Sequence, residues 1–191
     1  MLETKTQRVL GIERFGKSLV RLVKDLGFLD ERMLVIHAVW VDDADMDLLA
    51  TAGCTVAHNP ICNLRLGSGI MPFRELRERG ITIGIGTDER AADDEVNSWA
   101  ALKQAGLVHQ IGQPDYALCR HRQNCCMPTS GGARGMRVGN LGRIATGCLA
   151  DIILIDPGFV AGSGVLARPG SSRPNCSLGH QPRIRRCRCQ S

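Results

Sequence analysis

Ile81-Thr-Ile-Gly-Ile-Gly-Thr-Asp88 is the stretch of sequence that decides the fold. Its apolar run predicts a buried strand, and Asp88 follows directly where that strand ends. Residues 33–41 and 54–58 form two similar runs, and the segments between the three runs carry apolar residues at helical spacing. Strands that alternate with helices in this way indicate βαβ units around a parallel sheet, connected right-handedly. The sequence therefore predicts an α/β fold.

The expected helices have recognisable start and stop signals. They are, in chain order, residues 16–26, a helix capped by Asp42 or Asp43, a short helix from Pro72 to Arg79, and a helix capped by Asp93 or Asp94. Residues 59–69 are expected to be a loop, because they contain Pro60 and two glycines.

Three polar side chains follow the three predicted strands at equivalent places. His37, His58 and Asp88 lie at or just beyond the strand ends, which meet on one face of a parallel barrel, where barrel enzymes build their sites. Each also has a simpler structural interpretation, as a core histidine, a turn histidine and a helix-capping aspartate. Their coincidence favours a site that could bind a divalent metal, position a substrate or move protons.

Length and composition restrict the class of protein. The chain has 191 residues, whereas a complete (β/α)8 barrel takes about 250. Its hydrophobic content of 43% and charged content of 23% are those of a globular protein. No apolar run reaches membrane-spanning length, and the first residues lack the apolar stretch of a secretory signal. A cytoplasmic location is therefore expected, with most of the nine cysteines reduced.

The net charge of +5 is concentrated at the C-terminal end. Residues 158–191 hold six of the 24 basic residues and no acidic one, which leaves 18 basic against 19 acidic residues before them. A nucleic-acid-binding interpretation would use this tail, with a small zinc site at Cys176, His180, Cys187 and Cys189. That spacing does not match a zinc module, and no aromatic residue follows Phe159 to stack on bases. An unstructured basic tail is the favoured interpretation.

Five stretches resemble the second half of the amidohydrolase superfamily, in the branch of aminohydrolases and chlorohydrolases that act on purines, pyrimidines and s-triazines. The resemblance implies a partial (β/α)8 TIM-type barrel, made of the C-terminal βα units, with a remnant of the family's small β-sandwich. The five stretches are Glu3-Thr-Lys-Thr, Ile36-His37-Ala, His58-Asn-Pro-Ile-Cys-Asn-Leu-Arg-Leu-Gly-Ser-Gly-Ile-Met-Pro72, Gly84-Ile-Gly-Thr-Asp88 and Gly142-Arg-Ile-Ala-Thr-Gly-Cys-Leu-Ala-Asp-Ile-Ile-Leu-Ile-Asp156.

The same resemblance implies roles for individual residues. Asp88 would be a metal ligand and a proton shuttle, Glu3 would protonate a ring nitrogen of a small heterocyclic substrate, and His37 would hydrogen-bond the attacking water or the substrate. Three residues would line the substrate loop: His58, Asn59 and Asn63. The implied metal is a divalent ion, zinc first and iron as the alternative, which generates a nucleophile from water.

The chain departs from the family in its other metal ligands. The family takes two histidines from a His-x-His motif and a third that would fall one position before Met1, so only Asp88 of four expected ligands is present. A single carboxylate does not hold Zn²⁺ tightly. We therefore expect a truncated fragment that is inactive alone and exposes barrel edges for self-association or for another chain.

Four regions are expected along the chain. Residues 1–115 form the C-terminal part of the hydrolase barrel, and residues 116–128, with three cysteines and no apolar period, are irregular. Residues 129–157 return to the β-sandwich and contain a strand within residues 150–156. Residues 158–191 are expected to be disordered, because they are rich in Gly, Ser, Pro and Arg.

Overall fold

The computed structural model describes residues 2–93, 96–111 and 126–154, together with the backbone of Arg185–Cys187. The chain divides into two compact units, residues 1–143 and residues 144–191. Within the described ranges, no helix is both long enough and apolar enough to cross a membrane.

The first unit is built on a three-stranded parallel sheet. Strands β1 (Leu34–Ile36), β2 (Thr55–His58) and β3 (Thr82–Ile85) lie in that order, and both neighbouring pairs are parallel. The predicted parallel βαβ arrangement is thus confirmed. Each strand is shorter than its apolar run, and β1 stops well before Val41 because His37 and Ala38 adopt positive φ angles of 70° and 47°.

Helices connect and flank the strands. They are α1 (Lys5–Phe15), α2 (Leu19–Asp25), α3 (Asp43–Thr51), α4 (Pro60–Arg65), α5 (Phe73–Glu78), α6 (Arg90–Asp93) and α7 (Ser98–Val108), followed by one π-helical turn (Met127–Gly131) that continues into α8 (Gly132–Gly135). The chain from residue 126 to 128, expected to be irregular, thus enters a helix. Residues 116–125 of the expected irregular region lie outside the described residues.

Helices α1 and α4 of the first unit were not expected from the sequence. Helix α1 begins with a capping box, in which Thr4 and Gln7 satisfy each other's backbone N–H groups. Helix α4 replaces the expected loop because Pro60 occupies its first turn, where a missing N–H is tolerated. The helix expected from residue 16 begins only at Leu19.

The expected helix caps have mixed outcomes. Asp42 caps α3, as expected, and forms a capping box with Asp45. The expectation for Asp93 is wrong, because Asp93 is the last residue of α6. Asn97 caps α7 instead, and its side-chain oxygen accepts from the N–H groups of Trp99 and Ala100. Asp94 lies outside the described residues.

The sheet is covered on both faces. Val35, Val56 and Ile83 form one row across the strands and belong to a buried cluster with Leu49 of α3 and Leu76 of α5. The row on the opposite face consists of Leu34, Thr55 and Thr82. Helix α8 lies there, since Arg134 donates to Thr82 Oγ1 at 3.0 Å and Gly135 approaches Leu34 and Thr55.

The second unit contains a small antiparallel ladder. Strand β4 (Ile152–Leu154) pairs with β5 (Arg185–Cys187). The strand expected within residues 150–156 is therefore confirmed at its centre. Within the tail expected to be disordered, residues 158–191, the backbone groups of Arg185–Cys187 pair with β4, and the expected disorder stays a prediction. The remainder of that tail lies outside the described residues, and the proposed domain boundaries stay a prediction.

Candidate active site

Three of the predicted site residues converge beyond the ends of the strands. His37 follows β1, Asp88 lies three residues after β3, and Glu3 immediately precedes the cap of α1. His37 Nε2 is 3.3 Å from Asp88 Oδ2 and 3.9 Å from Glu3 Oε2. Two carboxylates and an imidazole thus share one partly exposed pocket, which is the combination that proton transfer and metal binding require.

Glu3 is held in place from both sides. The carbonyl of Leu2 accepts from the N–H groups of Val39 and Trp40, at 2.9 and 3.2 Å, which pins the chain beside the end of β1. Glu3 Oε1 accepts a hydrogen bond of 3.0 Å from Ser68 Oγ. The acidic side chain therefore has a fixed direction before any substrate arrives.

A buried charge network anchors the helix that follows Glu3. Arg8 of α1 donates to Asp45 Oδ2 at 2.9 Å and to Asp42 Oδ2 at 2.7 Å, and both acids belong to the start of α3. Asp45 is fully buried and also accepts from the Ser18 hydroxyl at the cap of α2. Three helices are thus tied together next to the site by charge-assisted hydrogen bonds.

His37 is fixed in both backbone and side chain. Its N–H donates to the Ala57 carbonyl at 2.9 Å, and its Nδ1 lies 2.8 Å from Oδ1 of the buried Asn63. Because the amide oxygen only accepts, Nδ1 carries the hydrogen and Nε2 faces the two carboxylates. Its φ of 70°, like the φ of 64° at Asp88, is uncommon for a residue other than glycine and is typical of functional sites.

Asp88 accepts hydrogen bonds at both oxygens. The Glu89 N–H donates to Oδ1 at 2.8 Å, and Asn59 Nδ2 donates to Oδ2 at 2.9 Å. Burial acts to raise the pKa of Asp88, but the hydrogen bonds from Glu89, Cys62 and Asn59 and the nearby His37 outweigh it and lower the pKa below its usual value. Asp88 is therefore an ionised carboxylate at neutral pH.

Cys62 is a site residue that the sequence reasoning missed. It lies on α4, is 2% exposed, and places Sγ 4.0 Å from Glu3 Oε1. Burial, followed by its hydrogen bond to Asp88, raises the pKa of the thiol to about 12. No local pattern singles this cysteine out from the other eight, because its neighbours come from positions 3, 37 and 88.

His58 is buried away from the carboxylates rather than open to the pocket. Its Nε2 lies 2.8 Å from Nε2 of His109 in α7, and the His109 ring stacks on Phe73 at 4.6 Å. Burial is the main cause that lowers the pKa of both histidines, to about 4 for His109. The sequence had no signal for this pairing across 51 residues, and the expected substrate contact of His58 stays a prediction.

The loop between α4 and α5 contacts the site through Ser68. Its Ser68 carbonyl accepts a 2.7 Å hydrogen bond from Trp40 Nε1, while the hydroxyl of the same residue binds Glu3. Lys5 Nζ lies 5.8 Å from the centroid of the Trp40 ring, within the range of a cation–π contact.

The two amides expected to line the substrate loop have structural partners in the folded chain. Asn59 donates to Asp88, and Asn63 holds the ring of His37. Both amides therefore orient groups of the site, and their expected contact with a substrate stays a prediction.

The site contains side chains of the types that bind divalent metals. Atoms of Glu3, His37 and Cys62 that could each ligate a metal all lie within 4.8 Å of one another. Carboxylate, imidazole and thiolate are the groups that bind Zn²⁺ in proteins. The described residues thus supply a donor set of the right kind.

The sequence matches the profile of the amidohydrolase family over residues 2–178. It is 41% identical over 144 residues to a 5-methylthioadenosine/S-adenosylhomocysteine deaminase of Thermococcus kodakarensis, an alignment that covers 75% of this chain and 34% of the relative. The chain therefore spans about a third of the length of that relative.

Two solved structures are similar in fold. An adenosine deaminase from Xanthomonas campestris, solved with bound zinc, superimposes with a TM-score of 0.80 at 24% identity, over 86% of this chain and 37% of that chain. An atrazine chlorohydrolase from Arthrobacter aurescens, complexed with zinc, superimposes with a TM-score of 0.74 at 29% identity, over 78% and 33% of the two chains.

Proposed function

The chain belongs to the amidohydrolase family, and we propose that Glu3, His37 and Asp88 are its contribution to a hydrolytic active site that removes ammonia or another leaving group from a heterocyclic ring. The observation that carries the proposal is the 3.3 Å approach of His37 Nε2 to Asp88 Oδ2, with Glu3 Oε2 at 3.9 Å from the same nitrogen. Three chemical groups from distant parts of the sequence meet at one point.

Each of the three groups has a task in the hydrolysis of a cyclic amidine. Asp88, an ionised carboxylate, accepts a proton from the water that attacks the ring carbon and passes it to the departing amine. Glu3 donates a proton to the ring nitrogen and regains one when the new carbonyl forms. His37 positions the water, because Asn63 fixes its ring and directs Nε2 into the pocket.

A divalent metal is part of the proposal, with Asp88 as its ligand from this chain. Bound there, zinc or iron would lower the pKa of water to about 7 and so supply hydroxide at neutral pH. The lowered pKa of Asp88 suits a metal ligand, since the carboxylate is ionised before the ion arrives. The zinc-containing chlorohydrolase of similar fold supports this choice.

The substrate class follows from the relatives. The Thermococcus kodakarensis protein is named for the deamination of methylthioadenosine and S-adenosylhomocysteine, and the Arthrobacter aurescens protein for the dechlorination of atrazine. Each of these compounds contains a flat nitrogen heterocycle with a leaving group on a ring carbon. We therefore propose such a ring as the substrate, and the cytoplasmic location stays a prediction of the sequence.

The proposal is tested by supplying the 191-residue chain with the part of a related enzyme that it lacks. The chain alone should show no deamination of S-adenosylhomocysteine, because one carboxylate does not retain the metal. The N-terminal two-thirds of the Thermococcus kodakarensis deaminase is then coexpressed with it, and ammonia release is measured after zinc is added. We expect activity that falls at least about 100-fold in Glu3→Gln and Asp88→Asn variants.

The matched control is Glu89→Gln, which changes the neighbour of Asp88 but leaves the proposed residues intact. Its complex should retain the activity of the unmodified complex. A zinc-loaded complex that forms but releases neither ammonia from adenosine compounds nor chloride from atrazine would contradict the hydrolase proposal.

A second candidate function, association without catalysis, rests on the edge of the sheet. In the described part of the chain β1 pairs only with β2, and Leu34 and Ile36 are 42% and 45% exposed. A cavity of about 180 Å³ lies beside them and is lined entirely by apolar residues. Stable complex formation in the coexpression experiment, without turnover, would favour this function.

A further inference from the structure

Cys62 has no task in the hydrolysis described above, yet it lies at the centre of the site. The thiol is 2% exposed, points between the acids, and has Glu3 and Asp88 as neighbours. A buried cysteine usually serves as a small apolar side chain. This one is surrounded by metal-binding groups instead.

The distances among these groups are close to those of a coordination shell. His37 Nε2 to Glu3 Oε2 is 3.9 Å, Cys62 Sγ to Glu3 Oε1 is 4.0 Å, and His37 Nε2 to Asp88 Oδ2 is 3.3 Å. Ligand atoms at tetrahedral angles around zinc lie roughly 3.3–3.6 Å apart, given bonds of about 2.0–2.3 Å.

The orientation of His37 fits metal binding. Its Nδ1 hydrogen is committed to Asn63 Oδ1, so Nε2 is directed at the carboxylate oxygens of Glu3 and Asp88. A hydrogen bond from the second ring nitrogen to a buried acceptor is also how metal-binding histidines are held.

We propose that Cys62, Glu3 and His37 form a thiolate-containing site for a zinc-like divalent metal. Sulfur as one of the donors favours Zn²⁺, Co²⁺ or Cd²⁺ over Mg²⁺ and Ca²⁺. On binding, the Cys62 S–H bond breaks, its proton leaves to solvent and the sulfur–metal bond forms, with no change of oxidation state. This site uses the chain's own donors and shares Glu3 and His37 with the proposed hydrolase site, but not Asp88, the metal ligand proposed there.

Occupation of this site has a consequence for the proposed chemistry. A metal held by Glu3, His37 and Cys62 takes up the lone pairs that proton transfer needs. We expect Zn²⁺ added in excess over the catalytic metal to inhibit hydrolysis by binding here, whereas Cys62→Ser relieves that inhibition. With the Cys62 thiol, Glu3 and His37 would bind a metal instead of transferring a proton and positioning water.

The test is a titration of the reduced 191-residue chain with Co²⁺ alone, followed by absorption spectroscopy. We expect one equivalent to produce the thiolate-to-cobalt charge-transfer band in the near ultraviolet, and Zn²⁺ to displace it. Glu3→Gln and His37→Gln keep all nine cysteines, so any signal from other thiols persists in them. Their affinity for the one equivalent should fall at least about tenfold, as in other metal sites that lose a donor or its support.

Two further variants complete the design. Cys62→Ser, which keeps a hydrogen-bonding group, should lose the band, and Cys126→Ser, which alters an exposed cysteine, should keep it. Far-ultraviolet circular dichroism shows whether each variant is folded.

Three outcomes would overturn the proposal. They are a Cys62→Ser variant that retains the full band, Glu3→Gln and His37→Gln variants that bind Co²⁺ as tightly as the unmodified chain, and the absence of a one-equivalent site. The titration measures metal binding by the chain alone, and the ammonia-release assay with coexpressed partner measures hydrolysis, so failure of one proposal is distinguishable from failure of the other.

Discussion

His58 and His109 form a buried imidazole pair whose facing nitrogens are 2.8 Å apart. One of the two nitrogens carries the hydrogen and the other accepts it. Protonation of both rings would place two hydrogens between them. The pair therefore links β2 to α7 through a hydrogen bond that is lost when both rings are protonated.

This pair predicts a pH-dependent stability. Burial lowers the pKa of His109 from 6.5 to about 4 and lowers that of His58 well below 6.5. Between about pH 6.5 and 4 the unfolded chain binds more protons than the folded chain, so the free energy of unfolding falls as pH decreases through this window. The slope should reach roughly 1.4 kcal/mol per pH unit for each histidine.

The measurement is urea unfolding at several pH values, for the unmodified chain and for His109→Phe. That variant retains an aromatic ring against Phe73 and removes one titrating group, so we expect the slope to fall by about half. Phe73→Leu keeps both histidines and should keep the slope. Equal slopes for His109→Phe and the unmodified chain would show that the pair does not control acid stability.

Part of the site was predictable from single residues and part was not. His37 interrupts one apolar run and Asp88 follows another, and the expected parallel arrangement of the strands placed both at the same end of the sheet. Cys62 and His109 gave no such signal, because each acquires its neighbours through contacts between distant segments. The orientation of His37 by Asn63 likewise depends on the unexpected α4, which brings the amide to the ring.

At the scale of elements, the π-helical turn Met127–Gly131 shows how close a segment can come to a sheet. A Cβ atom at Gly131 would lie 2.4 Å from the Ile83 carbonyl oxygen and 3.1 Å from that of Cys126. Both are backbone atoms, which cannot rotate away. Glycine is therefore required for this turn to contact β3.

Gly131→Ala should lower the free energy of unfolding by about 1–3 kcal/mol, because the turn must move off the strand. Gly132→Ala is the matched control, since its added Cβ would find no atom nearer than 3.6 Å. That control should be neutral or stabilising by up to about 1 kcal/mol, because alanine favours the helix. Urea unfolding of the two variants checks this, and equal stabilities would contradict the close approach.

The elements differ in how far sequence determines them. The strands were found because continuous runs of apolar residues in β1, β2 and β3 predict burial on both faces. Helix α4 was missed because Pro60 and the glycines beyond it resemble a loop, although proline is also common in a first helical turn. The capping box of α1 is visible in the sequence as Thr4 and Gln7, although α1 was not among the expected helices.

At the scale of the whole molecule, the exposed edge of the sheet predicts self-association. Backbone groups of β1 on the side away from β2 have no strand partner among the described residues, and Ile36 is 45% exposed there. An unprotected edge strand with apolar side chains is a template for pairing with another chain. The first unit, which carries the sheet, should therefore associate as concentration rises.

Ile36→Lys should weaken this association at least about tenfold, because a charge on the edge opposes pairing and desolvation. Leu10→Lys changes a residue of α1 that is 56% exposed and serves as the control. Sedimentation velocity over a range of concentrations distinguishes the two. A monomeric unmodified chain at all concentrations would refute the prediction.

The hydrogen bond from the Trp40 indole to the Ser68 carbonyl gives the molecule an optical reporter. The same serine binds Glu3 through its hydroxyl, so a ligand that draws Glu3 away loosens the loop and changes the polarity around the indole. Trp99 is the other tryptophan of the chain, and it lies on α7. In a Trp99→Phe background, the emission of Trp40 would follow events at the carboxylate of Glu3 without any added label.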